Sequence, residues 1–409
     1  MAAFPLDVVV MAAGKGTRMK SVEPKVLHRL GGRALAQHVI DTAAGVSARS
    51  VVVITGHGAE QVEAGLCAPA GVVLRYVRQE PQLGTGHAVQ QALPVLTDDG
   101  VTLVLSGDVP LTQAATLQAL LDLCAGERLA LLTLDMTDPS GYGRIVRGDD
   151  GKGAGQEEGG GVLAIVEQKD ATPEQRAITE IYSGIMAVPT RLLRRWLAQL
   201  NNQNAQGEYY LTDVVKFAVA DGAPVLAHRI LDAVQVAGVN SPVQLAELER
   251  AHQRRVAQAL MEQGVRLADP ARLDVRGSLL CGLDVEIDVN CVFEGQVVLG
   301  DGVRIGPNCV IANARIDAGA TLQAFTHVQG DKVGVTVGPR AEIGPFARLR
   351  PGAVLGAEVH IGNFVEVKNS TLAAGAKANH LAYVGDADVG ERVNFGAGSI
   401  TANLSLIHI

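Results

Sequence analysis

The 409-residue sequence predicts an α/β half followed by a parallel β-helix. Two patterns predict the first half: short apolar runs that end at glycine-bearing loops, and stretches of helical periodicity between them. A third pattern predicts the second half, an apolar residue every six positions from about Val285 onward. A chain of this length exceeds one ordinary core, so two or three domains are expected.

Val8-Val9-Val10 reads as a buried parallel strand. It runs straight into Met11-Ala12-Ala13-Gly14-Lys15-Gly16-Thr17-Arg18-Met19, with Pro24-Lys25 close behind. A glycine-bearing loop at the end of a strand can close on a nucleotide and turn its N–H groups toward a base or phosphate. The loop has neither P-loop nor dinucleotide-fold spacing, so the plain alternative is a tight strand-to-helix connection. Val51-Val52-Val53-Ile54 and Val101-Thr102-Leu103-Val104-Leu105 read as further strands, the second closing on Ser106-Gly107-Asp108. Residues 116–124 carry helical periodicity. Ligands of such sheets bind beyond the carboxyl ends of the strands, where the Gly14 loop and Asp108 both fall. Residues 148–161 are glycine-rich and charged, and read as a mobile surface insertion. Residues 241–264 read as a polar helix with an apolar stripe that links the halves.

In the second half Ile287, Phe293, Leu299, Ile305 and Ile311 keep one six-residue phase. Val285, Cys291, Val297, Val303 and Cys309 keep another. After a break at 323–335 the rhythm resumes with Val337, Ile343, Leu349, Leu355, Ile361 and Val367. Such hexapeptides wind a parallel β-helix, with one apolar residue expected inward per short strand. A sandwich of alternating strands is the weaker alternative. The break fits either an irregular coil or an external loop.

The formal charge of −8 argues against nucleic acid or an anionic membrane as partner. No apolar run reaches the length of a membrane span, so no membrane insertion is expected. The five cysteines form no C-x-x-C pair, which makes zinc an unfavoured reading. Unpaired cysteines, and an N-terminus without the signal-peptide pattern, give the cytoplasm as the expected compartment.

Several motifs together carry a specific resemblance: MAAGKGTRM…PKVLH, QLGTGHA, GDVPL, PSGYGRI, IVEQKDA, NAQGEYYLTD, AGVN, RLRPG, IGNFVEVKN, NHLAYVGDADVG and NFGAGSITAN. From Val8 to Asn403 the chain resembles the bacterial bifunctional N-acetylglucosamine-1-phosphate uridylyltransferase / glucosamine-1-phosphate acetyltransferase family. The resemblance implies a Rossmann-like nucleotidyltransferase domain over 1–240 and a linker helix over 241–264. It implies a left-handed β-helix acetyltransferase domain over 265–403 that assembles as a homotrimer. The substrates implied are UTP, N-acetylglucosamine-1-phosphate, glucosamine-1-phosphate and acetyl-CoA, with one Mg2+ per uridylyltransferase site.

By the same resemblance, Met11, Ala12, Ala13 and Gly14 hold the nucleotide, and Gln79, Gly84 and Thr85 bind the base. Ser106, Gly107 and Asp108 also line the nucleotide site. Lys25 meets the triphosphate as a point charge, and Asp108 and Asn240 are the magnesium ligands. Gly143, Glu167 and Tyr182 enclose the sugar. His380 is implied as the general base of acetyl transfer, a task suited to imidazole near neutrality. Arg350 and Lys368 grip the sugar phosphate, Tyr383 and Asn394 contact the sugar, and Ala397 and Asn403 lie on the acetyl-CoA side. Read singly, Asp108 is equally a helix cap, Lys25 a solvated surface lysine and Asn240 a turn residue.

Two departures stand out. Tyr182 occupies a position where the family usually has asparagine, and a phenol lacks the paired donor and acceptor of an amide. The family also continues past Asn403, whereas residues 404–409 read Leu-Ser-Leu-Ile-His-Ile, the translation of a common sequencing-library adapter. The expectation is therefore a non-native tail on a truncated β-helix, with acetyl transfer impaired and uridylyl transfer kept. The alternative readings are a monofunctional sugar-1-phosphate nucleotidyltransferase with a structural β-helix, and a non-catalytic scaffold like those of translation-factor exchange complexes.

Overall fold

Val8, Val9 and Val10 are wholly buried, as a run apolar on both faces requires of a strand inside a parallel sheet. The computed structural model describes residues 4–148 and 161–402. Most of the predicted glycine-rich insertion, Asn403 and the expected tail lie outside the described residues. The chain divides into two units between Leu248 and Glu249, with Leu30–Arg33 counted to the second.

Among the described residues the main sheet of the first unit holds nine strands: β1 Leu6–Met11, β2 Ser50–Thr55, β3 Val73–Arg78, β4 Val101–Ser106, β5 Leu129–Asp135, β6 Arg144–Arg147, β7 Val162–Val166, β8 Glu180–Pro189 and β9 Val225–Arg229. The main sheet runs β9-β5-β8-β4-β1-β2-β3, and β6 joins it through β8 and carries β7. All neighbours on the main path are parallel except β8, which is antiparallel to both β4 and β5. Apolar clusters cover both faces. One gathers around Val8, Val10, Ile40 and Leu117, the other around Val9, Val52, Trp196 and Val215. Asp7 is buried inside the sheet and is met by Arg49 Nε and Nη2 at 2.9 and 2.7 Å and by Ser50 Oγ at 2.6 Å. Such pairing offsets the cost of burying a carboxylate.

Helix Pro242–Glu262 fulfils the expectation of a helix over 241–264. The second unit then winds 17 short strands into a parallel ladder, beginning at Arg266–Leu267. Ile287 pairs with Ile305 and Ile343 with Ile361, one coil of eighteen residues apart. Three corners turn each coil. One is marked by a left-handed residue at Asn290, Asn308, Phe325, Phe346, Phe364 and Leu381 in turn. The expectation of one inward residue per strand is corrected here. Val285 and Ile287, Cys291 and Phe293, and Val297 and Leu299 are all buried, because residues two apart on an extended strand share a face and each side of the coil holds both. The break at 323–335 is an external loop. Strand His327–Gln329 keeps the coil, and residues 330–334 are set outside it, closed by Gly334 N–H donating to Gly330 O at 2.7 Å. The loop lengthens that coil, so that Leu322 pairs with Ile343. Among the described residues no helix is long and apolar enough to cross a membrane.

Candidate active sites

The first site is assembled at the carboxyl ends of β1 and β4. Met11 pairs with Ser106, and Gly107 N–H donates to Met11 O at 2.9 Å, so the two loops leave the sheet side by side. Asp108 O accepts from Val239 N–H at 2.9 Å, which brings Asn240 alongside. Lys25 reaches in from the short turn Lys25–Leu27. Its Nζ lies 2.6 Å from Asp108 Oδ2 and 3.1 Å from Asn240 Oδ1. A cation thus stands between one carboxylate and one amide oxygen, a donor pair that hard divalent ions favour. Among the described residues no group of three or more His, Cys, Asp or Glu is placed to hold a metal. Asp108 and Asn240 could hold one with substrate oxygens and water completing its shell.

Ala12 and Ala13 are buried, but Gly14 is exposed and nothing lies within 4 Å of where its Cβ would be. No contact among the described residues demands glycine at 14, and the open space suits close approach of a ligand. The Gln82 amide donates to Ala13 O and ties this loop to the next turn. In that turn the buried Gln79 donates from Nε2 to Gly84 O at 2.9 Å, while Thr85 Oγ1 accepts from Leu211 N–H at 3.0 Å. A Cβ on Gly84 would come within 2.6 Å of Tyr209 O, and its φ is +108°.

Gly143 and Tyr182 meet through Tyr182 N–H donating to Gly143 O at 2.9 Å. A Cβ on Gly143 would stand 3.7 Å from Glu167 Oε1, so Gly143, Glu167 and Tyr182 are brought together. Burial pushes the Glu167 carboxyl above its ordinary range, and a 2.9 Å hydrogen bond from Thr212 Oγ1 pulls it partly back. Tyr182 is only 7% exposed, and its hydroxyl is buried without a hydrogen-bond partner among the described residues. Burial raises that phenol well above its usual value. β8 is irregular between Tyr182 and Met186, where Gly184 adopts φ +89°.

The second site lies on the β-helix. Arg350, Glu366, Lys368 and Tyr383 share one side of successive coils. Glu366 pairs in register with both Arg348 and Tyr383, and Lys368 with Gly385. Arg350 Nη1 donates to Glu366 Oε1 at 2.8 Å, and Lys368 Nζ to Asp386 Oδ2 at 3.2 Å. His380 is exposed and precedes the corner at Leu381, so it belongs to the neighbouring side. Asn394 is on that side too, in register with Lys377. Ala397 is exposed beside Gly398, whose N–H donates to Leu381 O at 2.8 Å. The sequence reading missed Thr212, which bonds Glu167, and Glu366, which holds Arg350. The carboxylate in IGNFVEVKN, two residues before Lys368, was the available signal for Glu366.

Residues 8–267 match the family described as the MobA-like NTP transferase domain. The chain is 75% identical over 407 residues to the bifunctional protein GlmU of Polaromonas naphthalenivorans (strain CJ2), covering 98% of this chain and 85% of that one. It is 70% identical to the protein of the same name from Albidiferax ferrireducens (strain ATCC BAA-621 / DSM 15236 / T118), covering 97% and 85%. The GlmU protein of Herminiimonas arsenicoxydans is 55% identical, with 97% and 84% covered. A solved UDP-glucose pyrophosphorylase complexed with UDP-glucose shares the fold at a TM-score of 0.50 and 17% identity, covering 61% of this chain and 99% of that one. Matches over 98% of this chain do not support the expected truncation, and the expectation of impaired acetyl transfer rested on it.

Proposed function

This chain belongs to the family of the bifunctional GlmU proteins, and we infer from that membership and from its two sites that it makes UDP-N-acetylglucosamine in two steps. An acetyl group passes from acetyl-CoA to glucosamine-1-phosphate. A uridylyl group then passes from UTP to N-acetylglucosamine-1-phosphate, and pyrophosphate leaves.

The observation that carries the uridylyl reading is the convergence of Lys25, Asp108 and Asn240 beside the Gly14 loop. Residues 215 apart in sequence share one set of short polar contacts there. A sugar-phosphate oxygen attacks the α-phosphorus in line, and because that phosphate is already ionised no strong base is required. Asp108 and Asn240 would hold Mg2+, which when bound neutralises phosphate charge. Lys25 contributes a mobile positive charge toward the phosphates, and the exposed Gly14 backbone a close approach. Gly143, Glu167 and the wall containing Tyr182 would position the sugar, and positioning supplies much of the rate in such a displacement.

On the β-helix, His380 would take the proton from the glucosamine amine as the nitrogen attacks the thioester carbonyl, with coenzyme A thiolate leaving. Arg350 and Lys368 would receive the sugar phosphate, each preset by a carboxylate partner. Assembly as a homotrimer is supported by one feature of this unit. Phe325, Phe346 and Phe364 stack along a corner with centroids 5.0 and 5.5 Å apart, yet each is about half exposed. Leu381, next to His380, extends the same apolar edge. A second copy laid there would bury that edge and close on His380. The cytoplasm is the compartment this reading assigns to both reactions, in keeping with the free cysteines.

Supplying glucosamine-1-phosphate, acetyl-CoA, UTP and magnesium to the chain alone tests the whole reading. UDP-N-acetylglucosamine should form. Product from N-acetylglucosamine-1-phosphate only, with no acetyl transfer, would favour the monofunctional reading.

A further inference from the structure

We infer that the Lys25 ammonium and the divalent cation are alternative occupants of the same two oxygens, so that metal arrival and Lys25 release are one exchange. The inference rests on the reading of Asp108 and Asn240 as metal ligands and adds an order of events to it.

Lys25 Nζ is within hydrogen-bond distance of both Asp108 Oδ2 and Asn240 Oδ1. An ammonium held there blocks the positions from which those oxygens would coordinate an ion. A dication bound to the same pair would stand against a like charge with little water between them, since the Lys25 and Asp108 side chains are only 15% and 18% exposed. One must leave for the other to bind. Lysine suits that task because its charge rides on a flexible four-carbon stem, whereas the amide and carboxylate sit on short side chains.

The stem also ties the exchange to the nucleotide loop. Gly16, at φ +58°, lies against it, and a Cβ on Gly16 would be 2.7 Å from Lys25 Cβ. An ammonium leaving Asp108 therefore pivots from a stem already packed on the loop that carries Gly14. Phosphates held at that loop give the released charge a new partner. Metal then binds the nucleotide-free chain weakly, because Lys25 competes. Nucleotide relieves the competition, and by linkage metal favours nucleotide equally.

The test is Mn2+ binding by the full chain without nucleotide, read from the free-ion electron paramagnetic resonance signal. Wild type, K25M and D108N are compared. K25M should bind Mn2+ at least tenfold more tightly than wild type, and D108N should lose the site. Equal binding by wild type and K25M, both dependent on Asp108, would overturn the exchange and leave the metal reading standing. Binding that D108N does not alter would overturn the metal reading itself, and the exchange with it. Should K25M fail to fold, the unmodified chain still decides the matter. Saturating Mn2+ should raise the rate at which an amine reagent labels Lys25 several-fold, as mapped by peptide mass. An unchanged rate contradicts the exchange.

Discussion

Thr212 Oγ1 donates a 2.9 Å hydrogen bond to Glu167 Oε1, and it does so from a buried position at the wall of the proposed uridylyl site. Burial raises the Glu167 carboxyl, with Asp170, Asp213 and Glu208 adding to the rise, while Thr212 opposes it. The folded chain therefore holds the Glu167 proton to higher pH than the unfolded chain. The associated stability is fully present below the unfolded carboxylate range and is lost as pH rises through the raised value. E167Q should remove that loss, so its stability relative to wild type should grow between about pH 4 and about pH 8. T212V should do the reverse, costing roughly 1–3 kcal/mol when Glu167 is ionised and less when it is protonated. Urea unfolding at both pH values measures each.

Gly84 has little room to change. A methyl group there would meet the backbone oxygen of Tyr209 at 2.6 Å, at a φ that L side chains rarely adopt. G84A should lose about 2–3 kcal/mol of stability. It should also raise the KM for UTP, because Gln79 and Thr85 are both fixed through this turn. Thermal unfolding and initial rates at varied UTP check the two effects.

The unpartnered Tyr182 hydroxyl makes an asymmetric prediction. A buried unsatisfied hydroxyl costs free energy, so Y182F should be neutral to about 2 kcal/mol more stable than wild type. Y182N, which supplies the amide that the resemblance implies at this position, should lose roughly 3 kcal/mol by emptying a packed site. Preference for N-acetylglucosamine-1-phosphate over glucose-1-phosphate should be unmoved in Y182F if the phenol only fills the wall. A lowered ratio of kcat/KM values would show that the hydroxyl reads the sugar.

F346D should place a charge in the middle of the stacked apolar corner. The coil itself should hold, because Phe346 is exposed and its inward neighbours Ala347 and Leu349 are not altered. The variant should sediment as a smaller species and lose most acetyl transfer, while uridylyl transfer stays within about twofold on the expectation that sites carried by separate units act independently. An assembly of the same size in wild type and F346D would contradict the proposed edge.

The features legible in the sequence are those that local pattern controls. Val8-Val9-Val10 and the run closing at Asp108 declare strands because parallel strands buried on both faces need continuous apolar residues. The hexapeptide phase declares the coils. Its reading as one inward residue per strand fell short, since Val285 and Ile287 both point inward from one side of a coil. Lys25 and Asn240 carry no local signal, for a lysine and a turn asparagine are ordinary surface residues until the sheet brings them to Asp108. Thr212 was missed for the same reason, and Glu366 was missed although it stands two residues before Lys368 in IGNFVEVKN. Each acts through one hydrogen bond whose partner is set by tertiary register.

The most direct test of the central claim is magnesium-dependent pyrophosphate release from UTP by the full chain. N-acetylglucosamine-1-phosphate, glucosamine-1-phosphate and glucose-1-phosphate are offered separately, with D108N beside wild type. Release chiefly with the N-acetylated sugar, lost in D108N, is the predicted result. Folded wild-type protein that releases no pyrophosphate with any of the three, or release that D108N leaves intact, would contradict the account.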